Sequence, residues 1–325
     1  MAKVQIPPVG MYRQRRKLYL AQTALLNLIN MSITQLAEDL YAAQPTEVLY
    51  HYTSLDALTK IVSSGCLYAT DIGFFNDASE MKHAADILRA HIAQRIEDQA
   101  PNSRLLIQLR EWVSERLTGG HMQFVVSFTT DGNLLSQWRS YCQHGKGVSI
   151  GFLPDVISQA ANVQSFRVGK CIYDNNVQRS LVGNILSEIE KLAEIRGENT
   201  DPTKRHPSQS YHGVFEEVEE DILRIAALLK HGKFNEEQEW RVVSPITSNY
   251  VQAPIKYREG KSMLIPFMEF SLRAGTTQQL PLEHVFLGPT PSANNSMTSL
   301  SQFLSKYGAN PKKGLKYCEI PYREH

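Results

Sequence analysis

Three stretches in the last third of the chain determine the fold class. They read Glu-Trp-Arg-Val-Val-Ser at residues 239–244, Ser-Met-Leu-Ile-Pro-Phe-Met-Glu-Phe at 262–270 and His-Val-Phe-Leu at 284–287. Each is a short, apolar-rich run of the kind that forms a β-strand. They follow one another without a helical pattern between them, unlike the strict alternation of a parallel α/β protein. They therefore favour an α+β fold over a doubly wound parallel sheet.

Strands and helices alternate irregularly over the rest of the chain. Residues 48–52 are apolar on both faces, as expected of a buried strand, and Ser54 caps a helix that Gly65 ends. Further strands are predicted at residues 66–70, 124–129, 147–152, 165–173 and 315–320. Further helices are predicted at residues 104–117, 177–195, 214–229 and 297–306, with two more beginning at Asp77 and near Leu134.

The composition is that of an ordinary globular protein. The 325 residues are 42% hydrophobic and 21% charged, which excludes a collagen, a coiled coil and a chain disordered throughout. The 34 Lys and Arg nearly balance the 33 Asp and Glu, for a formal net charge of +1. Such a balance provides no overall attraction to nucleic acid or to an anionic membrane, so any basic patch must be local.

Cysteine usage points to a reducing compartment. The four cysteines, Cys66, Cys142, Cys171 and Cys318, are widely spaced, so we expect free thiols and neither a disulfide framework nor a zinc site. The apolar stretch at residues 18–31 is too short and too polar to span a bilayer, and no signal peptide is recognisable. We therefore expect a cytoplasmic protein with no metal and no membrane partner.

The first 45 residues are predicted to form a helical extension. Residues 11–43 contain neither Pro nor Gly, and their apolar residues recur at helical spacing. The basic run at residues 13–17 is interpreted as a solvated face, with contact to nucleic acid or lipid less favoured. Residues 46–325 are predicted to form the main domain, in which the polar stretch 196–212 is long enough for a lid or an insertion.

Gly-Val-Ser-Ile-Gly at residues 147–151 matches the serine-hydrolase motif only literally. Val148, Ile150 and Phe152 alternate with small residues, which places Ser149 inside a strand instead of at a strand-to-helix turn. The sequence also lacks a His-Glu-x-x-His pairing and a phosphate-binding glycine loop. We therefore predict neither a serine nucleophile nor a metal site.

Two other motifs each allow two interpretations. Asn-Asp-Ala-Ser-Glu at residues 76–80 is either a capping box at a helix start, with Asp77 as N-cap, or a direct substrate contact. Glu-Gln-Glu-Trp-Arg at residues 237–241 runs into a strand along which Glu239 and Arg241 share one face. It is either a surface ion pair of little energetic consequence or a carboxylate on the rim of a cleft, held by its arginine.

Three short blocks occur in the order of a known family pattern. They are Leu-Tyr-His-Tyr-Thr-Ser at residues 49–54, Val-Ser-Phe-Thr at 126–129 and Glu-Gln-Glu-Trp-Arg at 237–241. Supporting pieces are Gly-Cys-Leu-Tyr-Ala-Thr at 65–70, Phe-Asn-Asp at 75–77, Gln-Trp-Arg-Ser-Tyr at 137–141, Gly-Lys-Gly at 145–147, Ile-Gly-Phe at 150–152 and Leu-Gly-Pro at 287–289. From residue 48 to residue 323, the chain thereby resembles the bacterial family of the domain of unknown function 2971.

That family's layout is similar to the ADP-ribosyltransferase superfamily, with a His on the first strand, a Ser/Thr-bearing middle strand and a Glu on a late strand. The resemblance implies an α+β fold in which NAD lies in a cleft between two small mixed or antiparallel sheets flanked by helices. It implies NAD as substrate, no metal, and Glu239 and His51 as the catalytic residues. His51 would hydrogen-bond the ribose hydroxyls with support from Thr53, and Tyr68 or Tyr141 would stack on nicotinamide. All residues so expected to contact NAD are His51, Tyr52, Thr53, Tyr68, Asn76, Ser127, Thr129, Trp138, Tyr141 and Arg241.

The chemistry is consistent on its own terms. Breaking the nicotinamide–ribose bond builds positive charge on the ribose, and a fixed carboxylate such as Glu239 stabilises that transition state more than the ground state. Nicotinamide is cationic in NAD, so its departure needs no general acid, and the same Glu could deprotonate an acceptor. We therefore expect an NAD-dependent ADP-ribosyltransferase with a protein or nucleic-acid acceptor, or an NAD glycohydrolase where water is the acceptor. In bacteria such chemistry commonly serves toxins, effectors or phage defence.

Two functions of other classes are also compatible with the sequence. One is a non-catalytic nucleotide- or nucleic-acid-binding module, with residues 13–17, Lys204 and Arg205 as phosphate contacts. The other is a regulatory protein whose N-terminal helix docks on a protein partner.

Overall fold

The computed structural model describes residues 32–75, 79–98, 100, 102–119, 121–142, 147–196, 210–260, 262–273 and 279–318. Within them, helices and two β-sheets mix in an irregular order, which confirms the predicted α+β class. Most of the predicted N-terminal extension and most of the polar stretch 196–212 lie outside the described residues.

Among the described residues, the larger sheet has six strands, all antiparallel to their neighbours. Its register places Arg241 opposite Ser127 on one side and opposite Gly169 on the other, so Arg241 lies inside the sheet and not at its edge. In spatial order the strands are β5 (Arg167–Lys170), β6 (Trp240–Val243), β3 (Phe124–Phe128), β2 (Cys66–Asp71), β8 (Leu264–Ser271) and β7 (Lys256–Glu259).

The smaller sheet, as far as the chain is described, has four strands in the order β1 (Leu49–Ser54), β4 (Gly147–Phe152), β9 (His284–Leu287) and β10 (Leu315–Tyr317). Strand β4 is antiparallel to both of its neighbours, β1 and β9, and β10 is parallel to β9. Ser149 lies in the middle of β4 and is fully buried. This confirms that Gly-Val-Ser-Ile-Gly forms a strand and not the turn that a serine nucleophile requires.

A pair of backbone hydrogen bonds joins the two sheets. The Tyr50 N–H donates to the Thr129 carbonyl at 2.8 Å, and the Thr129 N–H donates to the Tyr50 carbonyl at 2.9 Å. Strand β1 therefore runs beside the end of β3, although the two strands belong to different sheets. This junction brings His51 next to Ser127.

The helices are α1 (Ile33–Ala42), α2 (Leu55–Ser64), α3 (Ser79–Glu97), α4 (Ser103–Gly119), α5 (Leu135–Tyr141), α6 (Pro154–Val163), α7 (Asn175–Ile195), α8 (His212–Ala226) and α9 (Ala293–Lys306). The predicted ends of α2 are confirmed: the Ser54 hydroxyl accepts from the Ala57 N–H, and Gly65 is left-handed with φ 75°. No described helix combines the length and the apolarity needed to cross a membrane.

The larger sheet separates two apolar cores. Alternate residues of a strand point to opposite faces, so Val125 packs into a helical cluster on one face while Phe124 and Val126 pack on the other. The helical cluster contains residues of α1, α3, α4, α7 and α8. The second core lies between the two sheets and includes Leu49, Ile150 and Val242.

The prediction of one helix over residues 11–43 is wrong at residue 32. The backbone of Ser32 is not helical (ψ 156°), and its hydroxyl accepts a hydrogen bond from the Gln35 N–H at 3.2 Å. A hydroxyl that caps a helix satisfies a free N–H of the first turn, so α1 begins at Ile33. It packs on α8, where the Thr34 hydroxyl donates to Asp221 at 2.7 Å.

Helix α6 and strand β7 are not predicted from the sequence. Helix α6 begins at Pro154, and proline is favoured at the first position of a helix. The apolar strand just before it hides the change from a strand pattern to a helix pattern. Strand β7 is exposed along its whole length and carries Lys, Arg and Glu, so no alternation marks it. The strand predicted at 165–173 is shorter than expected, because only Arg167–Lys170 pairs within the sheet.

Candidate active site

A pocket opens where β1, the end of β3, helix α5 and the turn before β6 meet. It occupies about 340 Å³ and is open to solvent. Its walls combine His51 of the smaller sheet with Glu239, which directly precedes a strand of the larger sheet. The described residues that line it are Tyr50, His51, Tyr52, Ser127, Phe128, Thr129, Gln137, Tyr141, Glu237 and Glu239.

His51 is held by a backbone carbonyl. Its Nδ1 lies 3.0 Å from the Ser127 carbonyl oxygen, and because a carbonyl can only accept, Nδ1 carries the proton and donates it. Burial lowers the pKa of His51, and the hydrogen bond to Ser127 offsets this only in part. The imidazole is therefore neutral at pH 7, and its other nitrogen, Nε2, is a hydrogen-bond acceptor.

Glu239 is placed by a left-handed turn. A 3₁₀ turn, Gly232–Glu237, ends at Gln238, whose φ is 42° and ψ is 49°. The backbone of Glu239 is then held on both sides: its N–H donates to the Tyr173 hydroxyl and its carbonyl accepts from the Cys171 N–H, each at 2.9 Å. A left-handed residue other than glycine costs about 1–3 kcal/mol, and these contacts help to offset that cost.

The Glu239 carboxylate is buried and ion-paired. Arg241 donates from Nε to Oε1 at 2.8 Å and from Nη2 to Oε2 at 3.2 Å, while Lys230 Nζ contacts Oε2. Burial alone would raise the pKa of Glu239, but the charges of Arg241 and Lys230 outweigh burial and lower that pKa to about 2. Glu239 is therefore ionised throughout the physiological pH range.

Lys230 connects Glu239 to a second carboxylate of the pocket. Its Nζ lies 2.5 Å from Oε2 of Glu237, and only 5% of the residue is exposed. Because removing one partner of a buried ion pair leaves the other charge uncompensated, these residues depend on one another. We call Lys230, Glu237, Glu239 and Arg241 the charge cluster.

The interpretation of Glu239 and Arg241 as a surface ion pair is wrong. Arg241 is fully buried and Glu239 is 4% exposed. The reason is that helix α8 covers this face of the strand, and Arg241 Nη1 donates to the carbonyl of Ala227, which follows α8, at 2.6 Å. In a site with so little solvent the pair is only weakly screened, and removing one partner would leave the other charge uncompensated.

Two aromatic residues among the predicted NAD contacts have internal hydrogen bonds. The Tyr52 hydroxyl donates to the Asp131 carbonyl at 2.9 Å and accepts from the Leu134 N–H at 2.7 Å. Trp138 packs edge-on against Tyr52 and donates from Nε1 to Asn133 at 3.0 Å. Tyr52 and Trp138 therefore shape the loop between β3 and α5, from which Thr129 lines the pocket.

The structure brings together part of the predicted NAD-contacting set. Thr53, Trp138 and Arg241 are not among the lining residues, and Tyr68 stacks on Phe267 with ring centroids 4.1 Å apart. Asn76 lies outside the described residues, as do residues 13–17, Lys204 and Arg205. The predicted residues that do line the pocket are His51, Tyr52, Ser127, Thr129, Tyr141 and Glu239.

Sequence reasoning missed Gln137, Glu237 and Lys230 as site residues. Gln137 and Glu237 lie in two of the blocks that carry the family resemblance, one and two residues from a predicted contact, so that proximity could have indicated them. Lys230 carries no such signal. It lies outside those blocks and reaches Glu239 only because the chain turns back between them.

The described residues contain no group of three or more His, Cys, Asp or Glu side chains placed to bind a metal ion. All four cysteines are free thiols, as predicted.

The model of a family described as "Protein of unknown function (DUF2971)" matches residues 137–242, about a third of the 325-residue chain. The matched stretch contains the whole charge cluster, whereas His51 and Ser127 precede it. The match supports the resemblance to that family. No curated protein matches the chain at a significant level.

Proposed function

We propose that the protein cleaves NAD at the nicotinamide–ribose bond. It acts as an NAD-dependent ADP-ribosyltransferase when a macromolecule accepts the ADP-ribose, and as an NAD glycohydrolase when water does. The observation that carries this proposal is one pocket lined by a neutral imidazole, His51, and an ionised carboxylate, Glu239.

Glu239 supplies the charge that the reaction needs. As the C1′–N bond breaks, its electron pair stays on the nicotinamide nitrogen and positive charge builds on the ribose. A carboxylate already ionised and fixed by Arg241 and Lys230 stabilises this charge without reorganising. Because a carboxylate with a pKa of about 2 is a weak base, we assign Glu239 an electrostatic role and not proton abstraction.

His51 orients the ribose. With Nδ1 donating to the Ser127 carbonyl, Nε2 can accept a hydrogen bond from a ribose hydroxyl. A neutral imidazole also avoids placing a positive charge beside a ribose that becomes cationic. Burial of His51, which lowers its pKa, therefore supports the proposed chemistry.

The pocket suits the nicotinamide end of the dinucleotide. Among the described lining residues, two are carboxylates and none is Lys or Arg; the cations that compensate them, Lys230 and Arg241, lie outside the lining. Tyr141 is 44% exposed at the end of α5 and offers a ring for stacking on nicotinamide. The diphosphate and adenosine would lie outside the pocket.

The test is release of free nicotinamide from NAD by the purified protein, measured by chromatography. Glu239→Gln keeps the shape of the side chain and removes its charge, so we expect turnover to fall by about 10²- to 10³-fold. The matched control is Glu283→Gln, because Glu283 is also buried and pairs with Lys313 at 3.0 Å but does not line the pocket. We expect this control to retain turnover.

The proposal would be contradicted by a wild-type protein that neither releases nicotinamide nor binds NAD in calorimetry. It would also be contradicted if Glu239→Gln turned over NAD as fast as the wild type.

A further inference from the structure

Lys230 is buried beside the pocket but does not line it. Its Nζ nevertheless contacts the two carboxylates that do, Glu237 and Glu239. A lysine in this position can influence a ligand through those carboxylates. Lys230 is therefore a candidate to control the state of Glu239.

We propose that Lys230 is a positioning residue whose salt bridge, shared between Glu237 and Glu239, holds the two carboxylates side by side and keeps Glu239 ionised towards the pocket. The consequence for catalysis rests on the proposed function. The electrostatic part does not, and it can be measured without any turnover.

Lys230 offsets a repulsion between the two carboxylates. Two carboxylates that share one cation lie close together, and like charges at such a separation force one of them to take up a proton unless a cation intervenes. Lys230 supplies that cation at 2.5 Å from Glu237 and in contact with Glu239. Without it, Glu237 and Glu239 would repel each other in a buried site.

Lys230 and Arg241 bind Glu239 differently. Arg241 holds both oxygens of the carboxylate, Oε1 at 2.8 Å and Oε2 at 3.2 Å, which fixes the plane of the group. Lys230 contacts Oε2 alone. Lys230 therefore contributes a positive charge and a link to Glu237, whereas Arg241 orients the Glu239 carboxylate.

The backbone of Lys230 is fixed independently of its charge. The Lys230 N–H donates to the Ile172 carbonyl at 3.0 Å. The buried Gln178 amide donates to the carbonyls of both Lys230, at 2.8 Å, and Ile172, at 2.6 Å. A change confined to the Lys230 side chain leaves these backbone contacts in place, so the variant is expected to fold.

The titration of Glu239 tests the electrostatic part. In protein labelled with ¹³C-glutamate, the carboxyl signal of Glu239 is identified by its absence in Glu239→Gln and followed by NMR from about pH 8 to pH 3. In the wild type we expect Glu239 to stay ionised across this range, because its pKa is lowered to about 2. In Lys230→Met we expect the signal to titrate at higher pH, and in Lys230→Arg to behave as in the wild type.

The matched control is Lys313→Met. Lys313 also pairs with a buried glutamate, Glu283, which does not line the pocket, so this variant is expected to leave the titration of Glu239 unchanged. Circular dichroism at pH 7 establishes that each variant is folded. If Lys230→Met does not fold, Lys230→Gln, which keeps a polar group at the site, is measured in its place.

The pH dependence of nicotinamide release tests the catalytic part. In Lys230→Met we expect kcat to fall by about 10- to 100-fold with little change in KM, and the acidic limb of the pH profile to move to higher pH. Lys230→Arg should restore both. A merely structural role would lower the stability of the protein without moving the pH profile.

The outcomes separate the two proposals. An unchanged Glu239 titration in folded Lys230→Met overturns the positioning role, whatever the activity. If the titration shifts in Lys230→Met but the wild type itself does not turn over NAD, the electrostatic role of Lys230 is supported and the proposed function is contradicted. A shifted titration with an unchanged pH profile overturns the catalytic part alone.

Discussion

His51 and Glu239 face the same pocket but are held in different ways. On the histidine side, hydrogen bonds join side chains to the backbone. His51 donates to the Ser127 carbonyl, and the Tyr52 hydroxyl donates to the Asp131 carbonyl and accepts from the Leu134 N–H. On the carboxylate side, Glu239 is held by the full charges of Lys230 and Arg241.

This difference predicts how each side responds to its surroundings. Hydrogen bonds between neutral groups depend little on pH or salt, whereas buried charges depend on the protonation of every member of the cluster. The histidine side should therefore behave as a fixed scaffold. The carboxylate side should respond strongly when one of its charges is removed.

The largest effect is expected for Arg241→Met. It leaves Glu239 with less compensation in a buried site and removes the contact to the Ala227 carbonyl, so the free energy of unfolding should fall by about 3–5 kcal/mol. Urea denaturation measures this, with Arg258→Met on the exposed strand β7 as the control, expected within about 0.5 kcal/mol of the wild type. A loss below about 1 kcal/mol for Arg241→Met would show that the buried pair contributes little.

The next effect is the pH dependence of stability. The pKa of Glu239 is lowered from 4.5 to about 2, so the folded state favours the ionised form. This contribution is fully present above about pH 4.5 and is lost as the pH falls towards 2, up to a limit of about 3 kcal/mol. Urea denaturation between about pH 6 and pH 3 should therefore show a flatter dependence in Glu239→Gln than in the wild type. Parallel curves would contradict the assignment.

A smaller effect is expected on the histidine side. Tyr52→Phe removes the hydroxyl that donates to the Asp131 carbonyl and accepts from the Leu134 N–H. Leaving such backbone groups unsatisfied should lower the free energy of unfolding by about 1–3 kcal/mol. Thermal or urea denaturation measures this loss, which should be the same at pH 5 and pH 8 because no charge is involved. Tyr257→Phe, at an exposed tyrosine, is the control. A loss that varied with pH would place Tyr52 within the charge cluster's influence.

The smallest expected change concerns NAD affinity and pH. Burial lowers the pKa of His51, so the ring takes up its proton at lower pH than an ordinary histidine, whose pKa is near 6.5. Calorimetric affinity for NAD should therefore stay nearly constant from about pH 8 to pH 7. An affinity that dropped several-fold over this range in the wild type but not in His51→Asn would show that His51 does titrate.

Much of the fold was predictable because it rests on local patterns. The period-two alternation at residues 147–152 gives β4 its full length, and Ser54 and Gly65 determine both ends of α2. Elements without such a pattern were missed: β7 is exposed on both faces, and α6 follows a strand with no polar break. The start of α1 at Ile33 depends on the hydroxyl of Ser32, which caps the helix within an otherwise continuous helical pattern.

The site residues that lie in the strand blocks were predictable from the sequence, whereas those brought to the site by tertiary structure were not. The strand blocks contain His51, Ser127 and Glu239, and these do meet. The sequence could not show which of Tyr68 and Tyr141 lies at the pocket. Tyr68 is on β2, and only the strand order of the sheet shows that β2 lies on the far side of β3. The burial of Arg241 depends on a contact with Ala227, which follows α8. The position of Lys230 depends on the turn that brings the chain back to Glu239. Neither contact can be recognised from the neighbouring sequence.

The most direct test of the central claim is a crystal structure of Glu239→Gln with NAD bound, since this variant should hold the dinucleotide without cleaving it. The account predicts nicotinamide and its ribose in the pocket, with a ribose hydroxyl donating to Nε2 of His51 and C1′ facing the substituted position 239. Binding of NAD at another surface, with the pocket empty, would contradict it.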